Sequence, residues 1–267
     1  MEKEIPSLLK KIEEEKKITI LFAVEAGSRA WELNSAESDY DVRFVFYRSL
    51  EDYISINKYD EQIDVGFDKD LNQIKREGAF IEMSGCDIFK YLKQLSTCNV
   101  TSIDWLNSNI VYYGNINEIK NYVENNFNRA KLFVQYFCTG RGSYKSHMAS
   151  KDINIKKYLH VMLLILNAEY VLKYKKLPNS SMVKNLEELE KDIPSDIVQK
   201  IKELIELKTK GHGKDNIQEI PLLDKYFGET FDRYKSLGYE KKIKEEKGMD
   251  VDFFNQFLRK LLIKNEW

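Results

Sequence analysis

The stretch that decides the fold reads Gly27-Ser28-Arg29-Ala30-Trp31 and, after the polar turn Asn34–Ser38, Asp39-Tyr40-Asp41-Val42-Arg43-Phe44-Val45-Phe46. In an extended strand alternate side chains share a face and advance about 3.3 Å per residue. Asp39, Asp41 and Arg43 therefore point one way, while Tyr40, Val42, Phe44 and Phe46 point the other way, into a core. Two carboxylates about 6.6 Å apart at their α-carbons converge on hard cations. Mg²⁺ takes few protein carboxylates together with phosphate oxygens, which is what such a pair leaves room for. Upstream, Gly27 has no side chain to keep a phosphate off the backbone, and Ser28 at a helix start offers free N–H groups and a hydroxyl. Two acids on one face of an apolar strand repel unless something neutralises them, and Arg43 supplies part of that charge as an ion pair. The pattern is that of a nucleoside-triphosphate and metal site.

Working outward, Ser7–Lys17 has the spacing of a short amphipathic helix with Leu8, Leu9 and Ile12 inward, and Ile18–Val24 is a β-branched, apolar run expected to be a buried strand. Gly27 to Leu33 is expected to be briefly helical. Further short strands are expected around Ile63–Phe67 and Phe80–Met83, and the charged interval Asp68–Gly78 between them is expected to be a solvated loop. After Asp87 helical spacing takes over: Ile88, Tyr91, Leu92 and Leu95, then Ile119, Tyr122, Val123 and Phe127, then Tyr158, Met162, Ile165 and Leu166. Gly140–Ser143 is expected to interrupt this region, and Pro178–Ser181 to be a loop. Asp250 is the expected N-cap of a last helix with Phe254, Phe257, Leu258, Leu261 and Leu262 on one face. The division drawn from this change of character is an α/β head at 1–115 and a mostly helical region at 116–267.

The 267 residues carry 42 basic and 43 acidic side chains, and 43% of them are apolar. That composition buries a real core and excludes wholesale disorder, while the charge balance excludes a generically basic nucleic-acid coat. No apolar run approaches the roughly 20 residues of a bilayer span, and no signal-peptide core stands at the N-terminus. Three widely spaced cysteines (Cys86, Cys98, Cys138) form no CxxC and fit a reducing cytoplasm. No His/Cys spacing suggests zinc. The one strong charge imbalance is local: Arg129, Lys131, Arg141, Lys145, Lys151, Lys156 and Lys157 face a single acid, Asp152. Such a cluster suits a triphosphate or an RNA backbone.

Gly27-Ser28 with Asp39-x-Asp41 resembles the signature of the polymerase-beta-like nucleotidyltransferase superfamily. The fuller string, from Gly27 to Phe46, resembles its branch of predicted nucleotidyltransferases associated with RNA repair, with looser agreement at Trp105–Ser108, Ser143–Ala149 and Lys156–Tyr158. The resemblance implies an α+β fold, a small mixed sheet flanked by helices, followed by a mostly helical C-terminal domain. It also implies transfer of a nucleoside monophosphate from an NTP to an acceptor hydroxyl, with loss of pyrophosphate and with two Mg²⁺ ions, or Mn²⁺ in their place.

In that reading Asp39, Asp41 and Glu82 are the metal ligands and the catalytic residues, with Glu82 completing the site. The superfamily's third carboxylate, base for the attacking hydroxyl, has two candidates: Glu82 in Ile81-Glu82-Met83-Ser84-Gly85-Cys86-Asp87, which is favoured, and Asp64 in Ile63-Asp64-Val65. Gly27, Ser28, Arg29, Ser38 and Arg43 are nucleotide-binding, as are Lys145, Lys156 and Tyr158; Lys156 is the preferred triphosphate clamp and Tyr158 the base-stacking ring. Lys145, with Lys151, is also expected to meet a polyanionic acceptor. The acceptor stays open between an RNA end, a protein hydroxyl and a small molecule. The branch carries Asp where Glu82 stands, so a module that binds Mg-NTP without turnover stays open as well.

Overall fold

The computed structural model describes residues 1–149 and 153–263. Contacts gather them into two compact units. The first comprises Met1–Gly27, Asp39–Asn126 and the residues from Gly248 onward, and the second Ser28–Ser38 and Phe127–Lys247, so the chain changes unit four times.

The first unit is built on a six-stranded mixed sheet of β1 (Thr19–Glu25), β2 (Tyr40–Tyr47), β3 (Gln62–Phe67), β4 (Gln73–Ile74), β5 (Ile81–Asp87) and β6 (Val111–Gly114). Their order is β4-β3-β5-β2-β1-β6, with β2 and β5 parallel and the other neighbours antiparallel. The alternation read from β2 holds: Val42, Phe44 and Phe46 are fully buried and join Ile63, Val65, Phe67, Ile81 and Met83 in one apolar face. Helix α1 (Ile5–Lys16) covers that face with Ile5, Leu8, Leu9 and Ile12. Two short helices, α2 (Gly27–Ala30) and α3 (Leu50–Tyr53), flank β2 in sequence.

Strand β5 runs four residues beyond the expected Phe80–Met83, because its parallel register with β2 continues from Tyr40↔Ile81 to Phe46↔Asp87. Asp87 then caps α4 (Ile88–Ser96): its Oδ1 accepts from the Phe89 N–H at 2.9 Å and its Oδ2 from the Tyr53 hydroxyl at 2.8 Å. Burial raises the Asp87 pKa against the lowering effect of those hydrogen bonds. Helix α4 and the following α5 (Val100–Asn107) contribute the buried Tyr91, Leu92, Leu95, Ile103 and Leu106, and Tyr91 packs edge-on against Phe22 of β1. The interval Asp68–Gly78 is mostly exposed, as expected, yet its β4 residues pair with Gly66 and Phe67. Helix α6 (Asn117–Asn126) completes the central segment.

The second unit is helical: α7 (Arg129–Met148), α8 (Ile155–Tyr174), α9 (Met182–Leu189), α10 (Ser195–Thr209), α11 (Pro221–Ser236) and α12 (Tyr239–Lys242). The break expected at Gly140–Ser143 is absent, and α7 runs straight through it. A Cβ at Gly140 would lie 3.2 Å from Leu164 of α8 and 3.3 Å from the Phe231 ring of α11, so this glycine serves close helix packing rather than a turn. Ser181 ends the expected loop by capping α9, its hydroxyl accepting from the Lys184 N–H.

The chain returns to the first unit with α13 (Val251–Ile263), and Asp250 caps it as expected, Oδ1 accepting from the Asp252 N–H at 2.9 Å. Phe254 is buried and Phe253 stacks on Tyr122 of α6 at 3.6 Å between centroids. Among the described residues no helix is long and apolar enough to cross a membrane.

Candidate active site

Asp41 and Glu82 stand opposite one another in register on the parallel strands β2 and β5, with Gly66 of β3 beside Glu82 in the same row. The next row holds Arg43, Ser84 and Asp64. Registered neighbours share a face, so these polar side chains lie opposite the apolar face that α1 covers. They gather at the N-terminal ends of β2 and β5, the end away from the Asp87 cap of α4.

Asp41 is held from three sides. Its Oδ1 accepts from Arg43 Nη2 at 3.2 Å. Its Oδ2 occupies the space a side chain at residue 27 would need: a Cβ there would fall 2.2 Å away. Gly27 also has φ +61°, a left-handed conformation that L side chains disfavour. The room that the missing side chain leaves is taken by the carboxylate of Asp41, which brings the acid against the Gly27 backbone. Third, the backbone of Asp41 is fixed by the Glu25 side chain, whose Oε1 accepts from the Asp41 N–H at 2.8 Å, while Oε2 accepts from the Tyr112 hydroxyl at 2.5 Å. Glu25 is fully buried. Sequence reading passed over it, although an acid ending the apolar run Ile18–Val24 was the available signal. Asp39 precedes β2 and is exposed.

The two candidates for the third carboxylate have different surroundings. Asp64 accepts from Ser84 Oγ at 2.6 Å, from Gln62 Nε2 at 3.0 Å and from Arg76 Nη1 at 3.0 Å. Glu82 accepts from Arg76 Nε at 3.3 Å, and among the described residues that is its one polar partner. Partial burial lowers the Arg76 pKa, but the hydrogen bonds and charges of Glu82 and Asp64 outweigh it and hold the pKa above the ordinary guanidinium value. Arg76, in the charged interval before β5, is the second residue that sequence reading missed.

The donor set suits a hard cation in kind, being carboxylate oxygen throughout. Among the described residues no three His, Cys, Asp or Glu side chains are close enough to hold a metal together. By the chemistry of these donors Asp39 and Asp41 would hold such an ion; Glu82 is in register with Asp41 and engaged by Arg76.

The remaining candidates lie in the second unit. Ser28 opens its first segment and accepts the Leu33 N–H at its carbonyl oxygen, 2.8 Å away. Arg29 Nη2 donates to the Ser38 carbonyl at 2.6 Å, and the Ser38 hydroxyl accepts from the Ser35 N–H at 2.9 Å, so Arg29 and Ser38 close this loop upon itself. The loop is fastened to α8 and α9: Trp31 stacks on His160 at 6.0 Å, its carbonyl accepts the Met182 N–H, and Glu32 accepts from the Ser181 hydroxyl.

Lys145 and Lys156 are exposed, near the end of α7 and the start of α8. Lys151, like Asp152, lies outside the described residues. Arg129 pairs with Glu246 at 3.2 Å and Arg141 sits over the Phe137 ring, so part of the basic cluster serves packing. Tyr158 corrects the sequence reading. Its side chain is 0% exposed, its hydroxyl donates to Asp224 at 3.0 Å and accepts from the Ile220 N–H at 2.8 Å, and His147 packs edge-on against its ring. A ring so enclosed joins α8 to the start of α11 and presents no face to a base. His147 is itself buried, with neither ring nitrogen hydrogen-bonded among the described residues, and burial lowers its pKa.

The chain is 27% identical over 261 residues to the protein YcgL of Bacillus subtilis (strain 168), an alignment covering 97% of this chain and 95% of that one. Among solved structures, a nucleotidyltransferase-like protein from Exiguobacterium sibiricum 255-15 matches with a TM-score of 0.32 and 12% identity, over 90% of this chain and 75% of that one. The family model RlaP, described as the RNA repair pathway DNA polymerase beta family, matches residues 1–260 and so takes in the glycine-serine turn, the Asp-x-Asp strand and the helical unit together. The chain belongs to the RNA repair pathway DNA polymerase beta family, a branch of the polymerase-beta-type nucleotidyltransferases.

Proposed function

We propose that this family member is a Mg²⁺-dependent enzyme that moves a nucleoside monophosphate from an NTP to a hydroxyl at an RNA end, releasing pyrophosphate. The observation that carries the reading is the register of Asp41 opposite Glu82, with Asp39 two residues before Asp41 on the same strand line. Asp39 and Asp41 hold the metal, and Gly27 and Ser28 meet the β- and γ-phosphates. When bound, the metal neutralises charge on the transferring phosphoryl group and on the leaving oxygen. Glu82 takes the proton of the acceptor hydroxyl as its oxygen bonds to the α-phosphorus. The bond from that phosphorus to the bridging oxygen breaks, and the electron pair leaves with pyrophosphate. Arg43 keeps the Asp41 carboxylate turned toward the site. The test is incubation with each labelled NTP, Mg²⁺ and a total RNA pool, reading pyrophosphate and label on RNA. Label on protein or on a small molecule instead replaces the acceptor, and bound NTP with no pyrophosphate makes the protein a sensor.

The hydrogen bonding around Asp64 and Glu82 favours Glu82 as the base, because Asp64 already has its oxygens committed to three donors. Glu82→Gln is expected to preserve Mg-NTP binding and to slow single-turnover transfer about a hundredfold, in the range of a lost general base. Asp64→Asn, at saturating Mg²⁺, is expected to leave that rate within a few-fold of normal. Rapid-quench measurement of both variants decides the assignment, and the reverse result moves the base to Asp64.

Lys156→Ala is expected to raise the KM for NTP with any acceptor, and Lys145→Ala to matter only when the acceptor is polyanionic. With RNA, binding is expected to fall steeply between two salt concentrations, since each phosphate contact releases about one counterion. A flat salt dependence, with no RNA retained by wild type or Lys145→Ala, removes RNA as the acceptor.

A further inference from the structure

The return arm of the β3–β4 hairpin passes directly over Gly66. A Cβ at that position would fall 2.6 Å from the Lys75 carbonyl oxygen and 2.8 Å from the Arg76 α-carbon. The absence of a side chain therefore lets the arm lie flat on β3, in the row that continues through Glu82 to Asp41. From there the guanidinium of Arg76 reaches both carboxylates, Nε to Glu82 Oε2 at 3.3 Å and Nη1 to Asp64 Oδ1 at 3.0 Å. Each of the two acids in the Asp41–Glu82 pair thus has its own arginine, Arg43 on one and Arg76 on the other.

We propose that Arg76 is a positioning residue that neutralises Glu82 while no cation is present and gives it up, swinging onto Asp64 alone, when a divalent ion settles beside Asp41. The inference rests on the metal site of the function proposed above and adds its control. Two features make the exchange easy. The side chains of Arg76 and Glu82 are 39% and 26% exposed, so water screens their attraction and replaces it at small cost. Asp64 keeps its bonds to Ser84 and Gln62 whether or not Arg76 stays on Glu82, so it offers a fixed anchor for the released guanidinium. A fork of five donors on one planar group suits this double attachment, whereas a lysine ammonium offers a single point charge. Arg76 then opposes the cation through its own charge beside Glu82, and its removal strengthens metal binding at Asp41.

The experiment is Mn²⁺ binding without nucleotide, followed by the paramagnetic resonance of the free ion, on wild type, Arg76→Met, Arg76→Lys, Lys75→Met and Asp41→Asn. Thermal unfolding checks that each variant is folded, and Arg76→Gln replaces Arg76→Met if that variant is not. Arg76→Met is expected to bind Mn²⁺ about two- to fivefold more tightly, the scale of a partly exposed ion pair. Arg76→Lys is expected to fall between it and wild type. Lys75→Met removes an equal charge from the same arm and is expected to leave the affinity unchanged, which separates the contact from the general field. Unchanged or weaker binding in Arg76→Met overturns the role of Arg76; if Asp41→Asn abolishes binding in that same series, the metal site itself stands. Undiminished Mn²⁺ binding in Asp41→Asn overturns the metal site of the proposed function and this inference with it.

Discussion

Asp41→Asn and Asp39→Ala are each expected to lower nucleotidyl transfer on the order of a thousandfold while leaving the protein folded. The magnitude follows if the lost metal interaction carries about 4 kcal/mol in the transition state. Retention of the fold follows from the surroundings of Asp41. Its side chain is 30% exposed and its polar side-chain partner is Arg43, which keeps a second hydrogen bond to the Val42 carbonyl. A pair so placed is worth about 1 kcal/mol or less. Steady-state pyrophosphate release together with a thermal unfolding curve checks both halves of the expectation. Turnover near that of wild type in either variant removes the two acids from the chemistry. A collapsed unfolding transition would instead make them structural.

Gly27→Ala is expected to be nearly as damaging, although it removes no functional group. The alanine must adopt φ near +61° and its Cβ must find room where Asp41 Oδ2 now lies, 2.2 Å away. The first requirement costs about 1–2 kcal/mol. The second forces the carboxylate to rotate out of its position, and a displacement of about 1 Å at a reacting centre costs on the order of a hundredfold in rate. Gly238→Ala isolates the two effects, since Gly238 has φ +63° with nothing within 4 Å of an added Cβ. It is expected to lose similar stability and no activity. Equal activity in the two variants would mean that the carboxylate has freedom to move aside, and that the close fit of Gly27 on Asp41 is incidental.

Where the sequence was legible, a strong period made it so. Asp39 to Phe44 alternates a charged residue with an aromatic or apolar one, and in β2 Val42, Phe44 and Phe46 are fully buried. The helical spacings after Asp87 and the cap at Asp250 are equally local signals. Gly140 misled because a glycine needed for helix contact and a glycine needed for a turn look alike until Phe231, ninety-one residues away, is seen beside it. Tyr158 misled for the same reason: an aromatic next to lysines suggests a base platform, and only the distant Ile220 and Asp224 reveal a buried strut. In the site itself the Asp-x-Asp pair was legible, but the pairing of Asp41 with Glu82 depends on strand register across forty-one residues. Arg76 escaped notice because its meaning lies wholly in such pairings, whereas Glu25 left one local sign, an acid at the end of an apolar run, whose partners Asp41 and Tyr112 are distant in sequence.

The route of the chain has a consequence for its birth. Residues 127–247 are contiguous and assemble most of the second unit, whereas the first unit recovers α13 only after all of them have been made. On the ribosome the helical insert is thus complete while the sheet still lacks its last helix, and the Tyr122 ring on α6 waits uncovered for Phe253. A chain that stops short of Val251 therefore lacks the contact with Tyr122 that Phe253 of α13 supplies to the first unit.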